Sequence, residues 1–202
     1  IKNMMKNIND NDIIHYTDVG CHIVKNKNNK FNEYLDFLID SKNSILPFQY
    51  YYENDQKVFG FEFPNREEYK YTKSDLLDYF NFLNLKEIAD TPQFWAGNIF
   101  IKKSKESMEF LSEWINIMYN NFHLVDDLNS KINNHKYFIE NRHDQSVYSL
   151  LCKKYKLTSF SAYECDWALK NDKRTWEHNL SSPILAKRDL KYGIFERFIN
   201  RQ

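Results

Sequence analysis

Glycine and proline are scarce in this chain, four of each among 202 residues. A fold of many short strands and tight turns needs more of both, so an all-β architecture is disfavoured. Cysteine is scarcer still. Cys21, Cys152 and Cys165 are odd in number and far apart, with no Cys-x-x-Cys pair. That spacing argues against a structural zinc site. It reads as free thiols in a reducing compartment, hence a cytoplasmic protein. No apolar run reaches membrane-spanning length, and no secretory leader is visible. The chain starts at Ile1 rather than at methionine, so it reads as a fragment, and an upstream leader or anchor stays open. An excess of charge is missing too: 28 basic and 28 acidic residues give a formal net charge of +0. Nucleic acid is therefore disfavoured as a partner, because a phosphate backbone is held by surplus positive charge. The chain has no Gly-rich phosphate loop, no GxSxG elbow and no HExxH. These absences count against nucleotide kinases, dinucleotide enzymes, serine hydrolases and zinc proteases.

What is present is enough to build a core. Hydrophobic residues make up 42% and aromatics 17%, so the chain is expected to fold rather than stay disordered. The abundance of Lys and Asn reads as a coding bias toward AT-rich codons rather than as chemistry. Strand-like and helix-like segments alternate, which argues for one α/β domain over residues 1–202. Ile1, Met4, Met5 and Ile8 have helical spacing, and Ile13 to Thr17 reads as a short buried strand. Phe31, Tyr34, Leu35, Leu38 and Ile39 mark an amphipathic helix. Ile45 to Tyr52 and Lys57 to Phe63 read as strands around the turn Glu53-Asn54-Asp55-Gln56, with a polar connection over Asn65 to Tyr71. Thr72 to Asp75 reads as a capping box opening a helix to Leu83. Trp95 to Ile101 is the expected central strand. Ser104 then caps a long helix to about Phe122 with Met108, Leu111, Ile115 and Met118 on its apolar side. Residues 123–141 read as a polar loop, Gln145 to Tyr155 as a further helix, and the last forty residues as irregular and aromatic.

Two segments carry most of the chemistry. Asp18 falls at the carboxyl end of the Ile13–Thr17 strand, where open α/β sheets bind ligands. A carboxylate there can hold a divalent cation, and Gly20 lets a ligand approach the backbone. The plainer role of Asp18 is a turn residue bonding local amides. The second segment is Arg142-His143-Asp144-Gln145 before the apolar run of the next helix. Asp144 can act as a base or as a helix cap, and Gln145 can bond a sugar hydroxyl. Arg142 suits a bidentate phosphate contact, and His143 suits a phosphate or a buried carbonyl. Gly97 within a strand marks a bulge or a close approach. Trp95 offers a face for a sugar or for core packing, and Lys73 a cation for phosphate or a solvated helix start. His178 is a candidate late metal ligand. Taken singly, each of these residues has a structural role as its more common reading.

In order along the chain, four blocks resemble the GT-A glycosyltransferases, especially small viral and bacterial members that build capsules and glycans. The blocks are Tyr16-Thr17-Asp18-Val19-Gly20-Cys21, Tyr71-Thr72-Lys73-Ser74-Asp75-Leu76-Leu77, Gln93 to Ile101 with Ser104 and Trp114, and Arg142-His143-Asp144-Gln145-Ser146 with Leu150-Leu151. The likeness spans about residues 10–160. It implies a GT-A-like, Rossmann-like mixed sheet flanked by helices. It also implies a nucleotide-sugar donor, a glycan or other hydroxyl acceptor, and Mn²⁺ or Mg²⁺ at the diphosphate. Asp18 would then face metal and diphosphate, with Asp144 and Gln145 facing the reacting sugars and Lys73, Trp95, Gly97, Arg142 and His143 binding substrate. Two departures stand out. Gly20 occupies the place of the second carboxylate of the family's Asp-x-Asp, which leaves His22 or His178 to complete a metal site. Only seventeen residues precede Asp18, whereas a βαβ unit takes about 30 or more, so the amino-terminal βαβ unit is expected to be missing or reduced. Two other classes remain open: a non-catalytic glycan-binding or assembly module of the same fold, and a metal-dependent hydrolase or nuclease using Asp18, Asp144 and His143.

Overall fold

The computed structural model describes residues 1–51, 57–58 and 60–187, with the side chains of Lys57 and Val58 left out. Along the chain come α1 (Lys2–Met5), β1 (Ile13–Thr17), β2 (His22–Ile23), α2 (Asn28–Asp40), β3 (Ile45–Gln49), β4 (Lys57–Val58) and β5 (Phe61–Glu62). Next are α3 (Glu68–Tyr71), α4 (Ser74–Tyr79), α5 (Lys86–Ala89), β6 (Phe94–Lys102), α6 (Lys105–Asn120) and α7 (His143–Lys154). The late elements are β7 (Phe160–Ser161), β8 (Ala168–Lys170), β9 (Lys173–Thr175) and β10 (Ile184–Leu185). The architecture is mixed α/β.

The main sheet runs β1-β6-β3-β7. β6 is antiparallel to both β1 and β3, and β3 is parallel to β7, so the sheet is mixed. β6 can take the centre because residues Phe94 to Ile101 are all buried. Its side chains divide between the two faces. Phe94, Ala96, Ile99 and Ile101 pack with Phe110 and Leu111 of α6 and Val147, Leu150 and Leu151 of α7. Trp95 and Phe100 pack on the other side with Tyr34 and Leu38 of α2 and with Tyr163 and Cys165. Helices therefore flank both faces. A second sheet, β4-β5-β8-β9, and the β2–β10 pair stand beside the main one. Among the described residues no helix is long and apolar enough to cross a membrane.

Most expected elements are present, with physical reasons for the differences. β1 has the expected bounds but is half-buried rather than buried, because only β6 flanks it among the described residues. Ser104 caps α6 by accepting from the Ser107 amide, and the Ser107 hydroxyl accepts in return from the Ser104 amide, worth about 1 kcal/mol. The buried side of α6 is carried by Phe110, Leu111 and Ile117 rather than by Ile115. The expected strand from Lys57 to Phe63 is broken at Gly60, where φ is +80°. The expected turn at Glu53–Gln56 lies outside the described residues.

The polar stretch before Tyr71 is not a plain connection: it holds α3, and Arg66 and Glu68 within it are buried. The capping box at Thr72 is a misreading. Lys73 takes the cap position without a side-chain cap bond. The Thr72 hydroxyl instead donates to Glu68, and Asp75 accepts from the amides of Lys131 and Ile132. The partners of Asp75 lie 56 and 57 positions away in sequence, so local pattern does not reveal them.

Candidate functional site

The turn after β1 begins the site. The Asp18 amide donates to the Gly97 carbonyl at 2.9 Å, and the Cys21 amide donates to the Asp18 carbonyl at 2.9 Å. This extends the β1–β6 ladder by one bond and then folds the chain back over β6. The Tyr16 hydroxyl donates to Asp18 Oδ1 at 2.9 Å. Burial, and then the neighbouring Asp18 carboxylate, push the Tyr16 phenol up to about 12. Gly97 falls where the β3–β6 register shifts, the bulge expected of a glycine within a strand. A Cβ on Gly97 would stand 2.5 Å from Nε1 of Trp95, so the absent side chain makes room for the indole.

Above this turn opens a cleft of about 320 Å³, within the range of small-molecule sites. Asp18, Gly20, Cys21 and Trp95 line one side, and Arg142 and Gln145 from the start of α7 line another. Tyr50, Arg66, Asp166, Trp167, Arg174, Trp176 and Ala186 complete the wall. Five residues singled out by the sequence (Asp18, Gly20, Trp95, Arg142 and Gln145) thus share one cleft although the chain spreads them over 128 positions.

Each of the cleft's guanidinium groups lies over an aromatic ring. Arg66 lies over the Tyr50 ring at 4.0 Å and pairs with Asp166 at 3.1 Å. Arg142 lies over Tyr71 at 4.1 Å and bonds Glu140. Arg174 lies over Trp167 at 4.4 Å. Stacking of this kind favours the planar guanidinium over lysine and leaves its N–H edge for oxygen acceptors, here Asp166 for Arg66 and Glu140 for Arg142. Asp166 is buried but accepts from the Tyr50 hydroxyl and the Trp167 amide. The Tyr50 phenol is pushed well above its ordinary range by burial and by Asp166.

Asp144 sits in the first turn of α7, not at its cap, which is Arg142. It is exposed to solvent, yet its carboxyl is raised above the ordinary value, first by partial desolvation and then by the charge of Asp18. The two segments that stood out in the sequence therefore meet electrostatically.

Asp144 is not itself part of the cleft lining, and three further nominated residues lie elsewhere. Lys73 is buried and ion-paired with Asp126 at 2.9 Å, and it donates to the His123 carbonyl; that replaces the expected phosphate contact. His143 has φ of +46°, and its Nδ1 meets the Val125 carbonyl at 2.6 Å, which is the buried-carbonyl role weighed for it. Lys73 and His143 together line a separate hollow. His178 is placed in another cavity with Lys30, Phe160 and Glu164. Its Nε2 meets the Tyr163 carbonyl at 3.0 Å, and its ring packs on Phe61 and Phe63. His178 is thus not a second ligand beside Asp18. Among the described residues no group of three or more His, Cys, Asp or Glu is placed to hold a metal ion.

Sequence reasoning missed Tyr50, Arg66, Asp166, Trp167, Arg174 and Trp176. A signal existed for the last three: two tryptophans bracket an arginine within ten residues of a stretch without helical or strand period. No protein-family model matches the chain, and neither the curated proteins nor the solved structures give a match.

Proposed function

We propose that this cleft binds a nucleotide-sugar donor and transfers its sugar to a hydroxyl of a glycan or other acceptor, in a GT-A-like arrangement. The observation that carries the reading is convergence. Three guanidinium groups (Arg66, Arg142 and Arg174), three indoles (Trp95, Trp167 and Trp176) and Asp18 line one cleft. Guanidinium forks match the oxygens of a diphosphate, and indole faces match the apolar faces of sugars and bases. The arginines would stabilise the charge that builds on the departing diphosphate.

The acceptor oxygen forms its bond to the anomeric carbon as the bond from that carbon to the phosphate oxygen breaks. The electron pair leaves with the diphosphate. The acceptor's proton goes to Asp144, whose raised carboxyl makes it a better base than an ordinary aspartate. Such a base serves an inverting transfer; a retaining reaction needs no separate base, and Gln145 would then face the donor. A hydrated Mn²⁺ or Mg²⁺ would be held by the Asp18 carboxylate, which lines the cleft. The ion would supply further neutralisation of the diphosphate.

The test is an assay of the whole chain with UDP-, GDP- and dTDP-sugars, with Mn²⁺ and with EDTA, following released nucleoside diphosphate and glycosylated product. The reading expects turnover with at least one donor, reduced in Arg142→Ala. Binding without turnover, unchanged by Asp144→Ala, would instead favour a glycan-binding module. Neither binding nor turnover with any donor would overturn the proposal.

A further inference from the structure

Beneath the cleft floor lies a buried polar network that the transfer chemistry above does not use. Glu68 is fully buried, and its carboxylate accepts from four donors: the Thr72 hydroxyl at 2.7 Å, the Gln93 amide at 3.2 Å, the Lys153 ammonium at 3.0 Å and the Ser149 hydroxyl. Lys153 also donates to the carbonyls of Ile88 and Thr91. Its three hydrogens therefore have three acceptors. A buried ion pair in which every donor and acceptor is satisfied persists, whereas a partly satisfied one is costly.

The pair imposes a direction on its neighbour. A carboxylate only accepts, so Gln93, also fully buried, must turn its NH₂ toward Glu68. The Thr72 oxygen, whose proton is spent on Glu68, accepts from the same NH₂ at 2.9 Å. The Gln93 carbonyl is left pointing the other way, where it accepts from Nε2 of Gln145 at 2.9 Å. Gln145 thereby has one of its two N–H hydrogens committed to the floor, and its amide cannot turn over without losing that bond. Its carbonyl oxygen makes no hydrogen bond within the described residues, and its side chain lines the cleft.

We infer that Gln145 meets its ligand as a hydrogen-bond acceptor, fixed in that sense by Gln93 and the buried Glu68–Lys153 pair, and so selects a ligand group that donates, such as a sugar hydroxyl. Glu68 and Gln93 are positioning residues in this scheme. The identity of the donating group as a sugar hydroxyl rests on the proposed function; the locked direction of the amide does not.

The test is proton exchange at glutamine side-chain amides, followed by NMR in the ligand-free whole chain. The Gln145 NH₂ should exchange about tenfold more slowly than an exposed glutamine amide, the size expected for one partly shielded hydrogen bond. Gln93→Met should bring it to the exposed rate while the backbone spectrum away from the cleft is unchanged. Glu68→Gln combined with Lys153→Met removes both charges together, so no buried charge is stranded, and should also speed exchange because Gln93 is then free to turn. Exposed-rate exchange in the unaltered protein, or protection that survives both variants, would overturn the inference. A protected amide in a chain that transfers no sugar would count against the proposed function and leave the locked direction standing.

Discussion

Gly97 lies directly beneath the indole of Trp95: a Cβ there would sit 2.5 Å from Nε1, 2.6 Å from Cε2 and 2.7 Å from Cζ2. Those atoms belong to a rigid ring that is itself 7% exposed between sheet and cleft. Gly97→Ala should therefore push the indole out of place, destabilise the fold by about 1–3 kcal/mol as overpacking does, and weaken ligand binding in the cleft. Urea denaturation measures the first effect and calorimetry the second. A variant as stable as the parent with unchanged binding would refute the steric account.

Arg66 and Asp166 form a buried pair beneath the cleft, at 3.1 Å. Arg66→Met leaves the Asp166 carboxylate with the Tyr50 hydroxyl and the Trp167 amide but no cation. Removing one partner of such a pair costs about 3 kcal/mol or more. Adding Asp166→Asn removes the stranded charge; its one amide oxygen can still accept from the Trp167 amide, and the Tyr50 hydroxyl can turn to accept from the new NH₂, so the double variant should be more stable than Arg66→Met alone. Denaturation midpoints of the three proteins test this ordering.

Stability should fall on mild acidification. His15 has its pKa lowered from 6.5 by burial, a shift that its bond to Asn98 only partly offsets. His178 is lowered from 6.5 as well, by burial first. Both rings stay neutral in the fold at a pH where the unfolded chain already takes up protons. Their contribution is present above about pH 6.5 and is lost as pH drops toward the lowered folded values. Melting temperature should therefore decrease between pH 7.5 and pH 5.5, and His15→Gln should make that decrease shallower. A flat profile would contradict the assignment.

Asp144→Asn separates base from bystander. As the base of an inverting transfer, Asp144 should account for about 10²–10⁴ in kcat, with donor KM little changed because the amide keeps the same shape. Its raised carboxyl sets the sign of the pH profile: kcat/KM falls as pH drops through a pKa above the ordinary 3.8 of aspartate. An inverting enzyme whose rate is untouched by Asp144→Asn would remove this residue from the mechanism.

Legibility in the sequence followed the range of the forces involved. β1, β6, the Ser104 cap and α7 could be read because strand alternation, helical period and capping are set by neighbours a few residues apart. Asp18, Trp95, Arg142 and Gln145 could be nominated because each stands at an element's end or in its centre. Glu68 and Gln93 could not, since polar residues look like surface until partners such as Lys153 are brought in from far along the chain. Lys73 failed for the same reason, its partner Asp126 being 53 positions away. Arg66 was hidden because cation–ring stacking leaves no periodic trace, and Trp167 and Arg174 left only the compositional trace of an arginine between two tryptophans.

The most direct measurement is a crystal structure of the chain soaked with UDP and Mn²⁺. The account predicts diphosphate density in the cleft within hydrogen-bond distance of Arg142 or Arg174, with Asp18 beside the metal and Trp95 along the wall. Density seated instead in the cavity beside His178, or against Lys73, would contradict it.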